Sequence, residues 1–460
     1  MSLIKSISGI RGTIGGKVNE NLTPLDVVKF SSAFGTWLQN NKNKKDLTIV
    51  VGRDARISGS MVNSLVTATL QGLGIHVVDL GLSTTPTVEI MVPELKADGG
   101  IILTASHNPK QWNALKLLNE KGEFITGENG AEVLALAESE NFDYAEVDDL
   151  GKYETRDDAF DIHIQQILDL PMVDAEAIKA KKFKVVVDAV NSTGGIAIPQ
   201  LLEHLGCEVV KLYCEPNGQF PHNPEPLKEH LGDICDLVKK EKADVGIVVD
   251  PDVDRLALVD ENGDLFGEEY TLVAVADYLL KNKKGVAVSN LSSSRALRDV
   301  AKKHGSEYFA SAVGEVNVVT LMKEKNAVIG GEGNGGIIYP DLHYGRDSLV
   351  GVALFLTHLA KENKTVSELR ATYPSYFMGK KKIELTPEID VDSLLTKMEK
   401  EYRTEEVSTV DGVKIDFEKN WVHLRKSNTE PIVRIYTEAF SQEEADVLGD
   451  EMIAKIKSLI

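Results

Sequence analysis

The stretch ADVGIVVDPDVDR (243–255) joins an apolar run to a strongly acidic end. Its small and β-branched residues predict a buried β-strand that ends at Asp250. The same pairing of an apolar strand with a polar loop occurs in GGIILTASHNP (99–109) and in NAVIGGEGNGG (326–336). In open α/β sheets, ligands bind at the carboxyl ends of the strands. We therefore expect the three loops to contribute to one site.

Strand-like and helix-like segments alternate ahead of each of these loops. One unit reads FKVVVDA (183–189), TGGIAIPQLLEHLG (193–206) and CEVVKLY (207–213). Similar units of roughly a hundred residues, an ordinary domain size, end in the other two loops. This alternation predicts an α/β fold of three related domains with mixed sheets.

The residues after Pro374 follow a different pattern. Strand-like segments at KKKIELT (380–386), VKIDF (413–417) and WVHLR (421–425) precede a final helix-like segment with Ser441 as its expected N-cap. They predict a smaller α+β domain at the C-terminus. We therefore predict four domains, with these limits: 1–150, 151–258, 259–372 and 373–460.

The composition restricts the class of partner. The chain has 51 Lys and Arg against 71 Asp and Glu, a formal net charge of −20, which disfavours binding to nucleic acid and to anionic membranes. No stretch approaches the roughly 18 apolar residues of a membrane span, and the first residues lack the apolar core of a signal peptide. Three cysteines without metal-type spacing fit a reducing compartment. We expect a cytoplasmic protein, a monomer or a homodimer, that binds neither nucleic acid nor membrane.

The acidic loop after the strand at 245–249 predicts a metal site. Asp250, Asp252 and Asp254 alternate along the chain, so in a nearly extended backbone their carboxylates would point the same way. Such oxygen ligands favour Mg²⁺ or a similar ion. An EF-hand is rejected because Arg255 stands where that loop requires glycine. A solvated acidic turn stays as the alternative.

The loop GEGNGG (331–336) matches the dinucleotide-binding pattern G-x-G-x-x-G in letters only. The pattern requires a helix after the glycines, whereas IIYP follows here. A glycine-rich backbone instead allows Glu332 and Asn334 to approach a polyhydroxylated ligand closely. A plain flexible loop is the alternative.

A cluster of arginines and hydroxyl groups lies near the C-terminus. The segment LRKSNTEPIVRIY contains Arg425, Ser427, Asn428, Thr429 and Arg434. Guanidinium groups with hydroxyls and turn N–H groups are suited to a dianionic phosphate. A surface patch of salt bridges is the alternative.

Ser106 in the first loop is a candidate nucleophile. Neighbours in an extended chain face opposite ways, so His107 is expected to be a poor base for Ser106, and no G-x-S-x-G elbow is present. A serine facing a Mg²⁺ site and a phosphate clamp indicates that Ser106 carries a phosphoryl group. Lys116 is the candidate for the mobile proton.

These motifs together resemble the α-D-phosphohexomutase family over essentially the whole chain. The motifs that carry the resemblance are TASHNP with Lys116, DPDVDR, GEGNGG and RKSNTEPIVR, in that order, with SGIRG (8–12), GRDARISG (52–59) and GQFPHNPEPL (218–227). The resemblance implies three related α/β domains and a smaller phosphate-binding domain around a central cleft.

The resemblance also implies a role for each candidate residue. Ser106 would be a phosphoserine that shares one Mg²⁺ with Asp250, Asp252 and Asp254. Glu332 and Asn334 would contact sugar hydroxyls. The residues that would line the transfer site are Arg11, His107, Lys116, the general acid/base candidate, and Arg255. Those that would hold the non-reacting phosphate are Arg425, Ser427, Asn428, Thr429 and Arg434.

The activity implied is the interconversion of hexose 1-phosphate and 6-phosphate through the phosphoserine, with a catalytic hexose bisphosphate as activator. The sugar loop GEGNGG differs from the G-E-M-S-G-H type of many bacterial members and, with GEVNV (314–318), resembles the archaeal-type branch. We therefore expect a phosphoglucosamine mutase, with phosphoglucomutase/phosphomannomutase as the alternative. A Mg²⁺-dependent sugar phosphatase and a non-catalytic sugar-phosphate sensor are the rival classes.

Overall fold

The computed structural model describes most of the chain, in these ranges: 2–6, 9–42, 44, 46–385, 389–426 and 432–459. The chain divides into two compact units. The first unit is Met1–Thr271 with Asn334–Leu369, and the second is Leu272–Gly333 with Arg370–Ile460.

The first unit begins with a seven-stranded mixed sheet in the order β1-β2-β6-β5-β3-β4-β7. Its strands are β1 (Ile4–Ser6), β2 (Gly9–Thr13), β3 (Thr48–Arg53), β4 (His76–Leu82), β5 (Gly99–Leu103), β6 (Trp112–Leu118) and β7 (Tyr153–Thr155). Its helices are α1 (Pro24–Lys42), α2 (Gly59–Gly72), α3 (Thr85–Glu94) and α4 (Gly127–Ser139). Strand β3 is parallel to both β4 and β5, whereas β6 is antiparallel to β5 and β2.

Alternating side chains show that both faces of this sheet are covered. Ile49 and Val51 of β3 lie in a core with residues of α1, α2 and α4. Val50, between them, lies in a separate core with residues of α3. Successive strand residues point to opposite faces, so an uninterrupted apolar strand packs helices on both sides.

A second sheet of the first unit has the order β11-β10-β8-β9. Its elements are α5 (Ala159–Leu168), α6 (Ala175–Lys181), β8 (Lys184–Asp188), α7 (Gly194–His204), β9 (Glu208–Leu212), α8 (Gly232–Glu241), β10 (Val245–Val249) and β11 (Leu256–Val259). Strand β10 is parallel to β8 and antiparallel to β11, and all its residues are buried. The strand predicted from the sequence thus delivers Asp250 at its carboxyl end.

The first unit also contains elements from later in the chain. These are β15 (Gly336–Ile338) and α12 (Ser348–Glu362), while α9 (Glu268–Asn282) and α13 (Val366–Arg370) each extend into the second unit. Asp347 caps α12, because its Oδ1 accepts the N–H of Leu349 at 2.8 Å.

The second unit contains a parallel arrangement and an antiparallel sheet. Parallel strands lie in the order β13-β12-β14, from β12 (Val286–Asn290), α10 (Ala296–Lys303), β13 (Tyr308–Ser311), α11 (Glu315–Lys325) and β14 (Ala327–Glu332). The antiparallel sheet, in the order β16-β20-β19-β18-β17, is built from β16 (Phe377–Glu384), α14 (Val391–Glu401), β17 (Glu406–Ser408), β18 (Val413–Asp416), β19 (Trp421–Lys426), β20 (Ile432–Ala439) and α15 (Gln442–Leu459).

The predicted fold class is confirmed, since three α/β regions, two with mixed sheets and one with the parallel strands β13-β12-β14, precede a smaller α+β region. The final helix begins as expected, because Ser441 Oγ accepts the N–H of Glu444 at 3.2 Å. The domain limits at 150, 258 and 372 stay a prediction. Within the ranges given above, no helix combines the length and the apolar character needed to cross a membrane.

Candidate active site

The Ser106 loop is a tight turn after β5. Ser106 has a φ of 48°, a left-handed conformation that is uncommon for residues other than glycine. The turn is closed by the N–H of Asn108, which donates to the carbonyl of Ala105 at 3.0 Å. Thr104 Oγ1 accepts the N–H of Ser106 at 2.9 Å. The serine side chain is therefore held at the end of the strand rather than along it.

The acidic loop after β10 is also a turn, and the predicted extended backbone is wrong. Val253 has a φ of 66°, and its N–H donates to the carbonyl of Asp250 at 3.1 Å. The N–H groups of Asp254 and Arg255 both donate to Asp250 Oδ1 at 3.2 Å. The first carboxylate thus folds the loop around itself, and this local bonding is favoured over an extended chain.

The three carboxylates nevertheless converge, as predicted. One oxygen of each of Asp250, Asp252 and Asp254 lies within 4.8 Å of the others. All three residues are 0 % exposed, so the alternative of a solvated acidic turn is wrong. Ser106 Oγ donates to Asp250 Oδ2 at 2.9 Å. The predicted nucleophile and the predicted metal ligands therefore lie in direct contact.

The pKa shifts in this cluster reflect burial, repulsion between the carboxylates and attraction to Lys116. Burial, and then the neighbouring Asp254 and Asp252, raise the pKa of Asp250 well above its usual range. Burial also acts to raise the pKa of Asp252, but Lys116 outweighs it and the pKa of Asp252 is lowered. Three buried carboxylates at this distance repel one another unless a cation or protons compensate them.

The cluster fits a divalent cation. Oδ1 of Asp252 and Oδ1 of Asp254 are buried, and no donor in the described part of the chain forms a hydrogen bond with either. Buried acceptors without donors are costly. Hard carboxylate oxygens are the ligands that Mg²⁺ prefers. The carboxylate ligands and the two Oδ1 atoms without hydrogen bonds therefore agree with the predicted metal site.

The outer oxygens of these ligands are held by cations and a hydroxyl. Lys116 Nζ lies 2.7 Å from Asp252 Oδ2 and 3.6 Å from Asp254 Oδ2. Burial acts to lower the pKa of Lys116, but the two carboxylates outweigh it and the pKa is raised. Lys116 is thus placed at the carboxylate cluster, as the sequence suggested.

Two residues at this site were not predicted from the sequence. Thr85 Oγ1, at the start of α3, donates to Asp252 Oδ2 at 2.6 Å. Arg346 Nη2, just before α12, donates to Asp254 Oδ2 at 2.6 Å. Both lie far from the acidic loop in the sequence, and neither belongs to a recognisable ligand pattern, so only the tertiary fold reveals them.

His107 contacts Ser106 and lies within the electrostatic influence of the predicted arginines. His107 Nδ1 lies 3.3 Å from Ser106 Oγ, so the expectation that the two side chains face opposite ways is wrong; the left-handed turn brings them together. Burial, and then Arg255, lower the pKa of His107 to about 3, with smaller effects from Arg346 and Arg11. Burial and then Arg255 also lower the pKa of Arg11. Neighbouring guanidinium groups of this kind attract an anion.

The two sugar-loop candidates lie in different units. Glu332, at the end of β14 in the second unit, is buried and accepts hydrogen bonds from Asn290 Nδ2 at 2.9 Å and from the N–H of Gly314 at 3.2 Å. Asn334, in the first unit, accepts the N–H of Gly336 through Oδ1 at 3.2 Å. Strand β15 rather than a helix follows the glycines, so the rejection of a dinucleotide site is confirmed.

The predicted phosphate clamp is partly described. Arg425 on β19 and Arg434 on β20 are direct cross-strand partners, so two guanidinium groups share one face of the sheet. Arg425 Nε donates to Asp411 Oδ2 at 2.8 Å. Like charges opposite each other are unfavourable unless an anion lies between them. The other three predicted clamp residues, Ser427, Asn428 and Thr429, lie outside the described residues.

Family models cover nearly the whole chain. Four models described as phosphoglucomutase/phosphomannomutase match it: alpha/beta/alpha domain I at residues 4–144, domain II at 161–263, domain III at 267–376 and the C-terminal domain at 381–455.

Relatives of known name extend this similarity. A phosphoglucomutase/phosphomannomutase of Thermococcus kodakarensis is 38% identical over 440 residues, 94% of this chain and 95% of that protein. A phosphoglucosamine/phosphogalactosamine mutase of Sulfurisphaera tokodaii is 34% identical over 459 residues, 98% of each chain. The crystal structure of a phosphoglucomutase/phosphomannomutase family protein from Burkholderia thailandensis is 26% identical with a TM-score of 0.85, and the match covers 99% of this chain and 98% of that one.

Proposed function

The chain belongs to the phosphoglucomutase/phosphomannomutase family, and on that premise we propose that it interconverts hexose 1-phosphates and 6-phosphates through a phosphoserine at Ser106. The observation that carries the proposal is the contact between Ser106 Oγ and the buried carboxylate cluster, 2.9 Å from Asp250 Oδ2. A serine in this position can carry a phosphoryl group whose charge would be compensated by a cation that the carboxylates hold.

In the proposed reaction, the phosphoryl group moves from Ser106 to the free hydroxyl of a hexose monophosphate. The bond between phosphorus and Oγ breaks, a bond to the sugar oxygen forms, and the hydroxyl proton is passed to Oγ. Lys116 is the proposed relay for this proton. Arg11, Arg255 and His107 are proposed to orient the phosphoryl oxygens.

Magnesium is the proposed metal. Asp250, Asp252 and Asp254, with a phosphoryl oxygen on Ser106, would hold Mg²⁺, which would supply positive charge for the transferring group. The chain's own residues prepare that position, since Thr85 and Arg346 fix the outer oxygens of Asp252 and Asp254.

The remaining candidates are proposed to bind the substrate away from the reacting phosphorus. Glu332 and Asn334 would contact sugar hydroxyls, while Arg425 and Arg434 would hold the phosphate that does not react. The product of the first transfer is a hexose bisphosphate. It must turn around so that its other phosphoryl group can return to Ser106, and a catalytic amount of this bisphosphate would keep the enzyme phosphorylated.

Two substrate classes are supported by different observations. Glucosamine phosphate is proposed first, because the sugar loop is of the GEGNGG type and a relative acts, by its name, on phosphoglucosamine. Glucose and mannose phosphates are the second candidates, because the Thermococcus relative of that name is 38% identical.

The test is an assay of the purified protein with glucosamine, glucose and mannose 1-phosphates. Each is supplied with Mg²⁺ and a catalytic amount of the matching bisphosphate, and both the 6-phosphate and inorganic phosphate are measured. We expect 6-phosphate formation, strongest with glucosamine, and one added phosphate on Ser106 by intact mass. Dominant release of inorganic phosphate would favour the phosphatase, and binding without turnover would favour the sensor.

A further inference from the structure

Arg56 is a fully buried arginine in the segment GRDARISG (52–59), which has no role in the site described above. Its side chain and that of Asp54 are both 0% exposed, and Arg56 Nε lies 2.9 Å from Asp54 Oδ2. Burying a guanidinium is expensive unless its charge and all its N–H groups find partners. The hydrogen-bond acceptors of Arg56 therefore indicate its role in the fold.

All five N–H donors of Arg56 have an acceptor. One acceptor is the Asp54 carboxylate, and the other four are main-chain carbonyls, three in the loop that carries Ser106 and one at the start of β6. Nη2 donates to the carbonyls of Ser106 (2.5 Å) and Asn108 (2.6 Å), and Nη1 donates to those of Pro109 (2.7 Å) and Trp112 (3.0 Å). The loop thus wraps around a single guanidinium group.

The same arrangement supports the Ser106 main chain from its other side. Asp54 Oδ2 accepts the hydroxyl of Thr104 at 2.6 Å, and the oxygen of that hydroxyl accepts the N–H of Ser106 at 2.9 Å. Arg56 binds the carbonyl of Ser106, and Thr104 binds its N–H. Both peptide groups next to the left-handed Ser106 are therefore held by one buried network.

We propose that Arg56 is a positioning residue for transfer at Ser106, whose guanidinium fixes the left-handed turn that directs Oγ at the Asp250 carboxylate. This inference rests on the proposed function. The phosphoryl group must be presented to a substrate hydroxyl in a narrow range of geometries, so the turn has to be rigid before substrate binds.

Only arginine can supply this set of bonds. A lysine has three donors on one atom and no planar fork, so it cannot donate to all four carbonyls and to Asp54. The ring of Phe220 lies 5.1 Å from the Arg56 guanidinium carbon and favours a flat cation there. Lysine at this position would keep the ion pair with Asp54 and leave part of the loop without donors.

The experiment compares Arg56→Lys with Arg53→Lys in the full-length protein. Arg53 lies three residues earlier and donates to the carbonyl of Asp54, not to the Ser106 loop. We expect Arg56→Lys to lower kcat by about a hundredfold, the cost of a small misplacement of a reacting group, with KM changed less than about threefold. Arg53→Lys is expected to keep the wild-type kcat.

A second readout reports on the loop itself. The ³¹P signal of the phosphoserine in the wild type is compared with that of Arg56→Lys, and phosphate on Ser106 is counted by intact mass. We expect a shifted or broadened signal in the variant, because the turn loses its donors. A variant that is only less stable would have a lower melting temperature, and its kcat would not fall selectively while KM stays nearly constant.

Two results would overturn the inference. One is an Arg56→Lys variant with wild-type kcat and an unchanged ³¹P signal; the other is equal losses in kcat for the Arg53 and Arg56 variants. If Arg56→Lys does not fold, Thr104→Val decides, and we expect kcat about tenfold lower with KM unchanged from the loss of its two hydrogen bonds. An unchanged kcat in Thr104→Val would also overturn the inference. A wild type without mutase activity or phosphate on Ser106 would instead refute the proposed function.

Discussion

The surroundings of Ser106 in the first unit and those of Arg425 in the second differ in how their polar groups are held. Asp250, Asp252 and Asp254 are 0 % exposed, and each accepts a hydrogen bond from a side chain outside the acidic loop. Arg425 has 21% of its side chain exposed and pairs with Asp411, which is itself partly exposed. The first site is buried and rigidly supported, whereas the second is open to water.

The difference fits the two tasks proposed for these regions. Buried, fixed dipoles stabilise a transferring phosphoryl group more strongly than exposed ones, because they need no reorganisation during the reaction. A clamp that must receive a phosphate from either end of a sugar gains from adaptable side chains. We therefore expect substitutions near Ser106 to change mainly kcat and substitutions at Arg425 to change mainly KM.

The largest effect is expected for Ser106→Ala. Removing the nucleophile abolishes the covalent route, so turnover should fall by about four orders of magnitude or more while the fold is retained. Turnover is measured with the best hexose 1-phosphate, and intact mass should show that the variant lacks the added phosphate. Ser60→Ala, at an exposed position on α2, is the matched control. Near-normal turnover without phosphate on the protein would contradict the role of Ser106.

Asp254→Asn is expected to have the next largest effect. The amide removes one negative charge from the cluster and cannot compensate a divalent cation, so activity should fall by at least about a hundredfold at limiting Mg²⁺. Calorimetric titration of Mg²⁺ measures the binding directly. Asp236→Asn, on the exposed face of α8, should leave both quantities unchanged. Equal Mg²⁺ affinity in wild type and Asp254→Asn would place the metal elsewhere.

Arg425→Ala tests the more exposed of the two regions, the one around Arg425 in the second unit. The loss of charge-assisted hydrogen bonds worth ~1.5–3 kcal/mol should raise KM about ten- to a hundredfold, with a smaller change in kcat. The variant should also release more free bisphosphate, and Arg425→Lys should recover only part of the affinity because it lacks the planar fork. Labelled bisphosphate measures the release, and Lys419→Ala, at an exposed position between β18 and β19, is the control. If kcat falls while KM is unchanged, then the expectation that Arg425 acts mainly on KM and the Ser106 site mainly on kcat is wrong.

The smallest effect concerns pH and the loop that places Phe220 over Arg56. His222 in that loop contacts Asp188 at 3.1 Å and the ring of Tyr213, with Asp233 nearby. Burial acts to lower the pKa of His222, but the bond to Asp188 outweighs it and the pKa is raised. The charged pair therefore stabilises the fold fully below the unfolded pKa of about 6.5, and this stability is lost as pH rises through the folded value.

The contribution of the His222–Asp188 pair is measured as the melting temperature at pH values below and above the pKa of His222. Between about pH 6 and pH 8 the melting temperature of the wild type should fall by about 1 °C more than that of His222→Gln, which corresponds to a fraction of a kcal/mol in a chain of this size. A loss of the same size in both proteins would show that the histidine pair does not contribute.

Much of the fold follows from the sequence alone because its causes are local. Apolar runs such as Val245–Val249 are buried strands in any α/β layer, and the polar residues that end them lie at the carboxyl edge of a sheet. The spacing of Asp250, Asp252 and Asp254 correctly indicated one cluster, although a turn at Val253 rather than an extended chain brings the carboxylates together. The extended backbone was predicted wrongly because the spacing of the three aspartates is the same in a strand and in a turn. The hydrogen bonds from backbone N–H groups to Asp250, which form the turn, leave no mark on that spacing.

The sequence by itself indicated the residues that we propose for the chemistry: a serine after β5, three carboxylates after β10 and a lysine on β6. The tertiary structure alone decided what holds them in place. Thr85, Arg346 and Arg56 are distant in sequence from the groups they bind, and their donors act over about 3 Å, so no local pattern encodes these contacts. Whether Ser106 points at a carboxylate or into water depends on such hydrogen bonds, which exist only once the domains have packed.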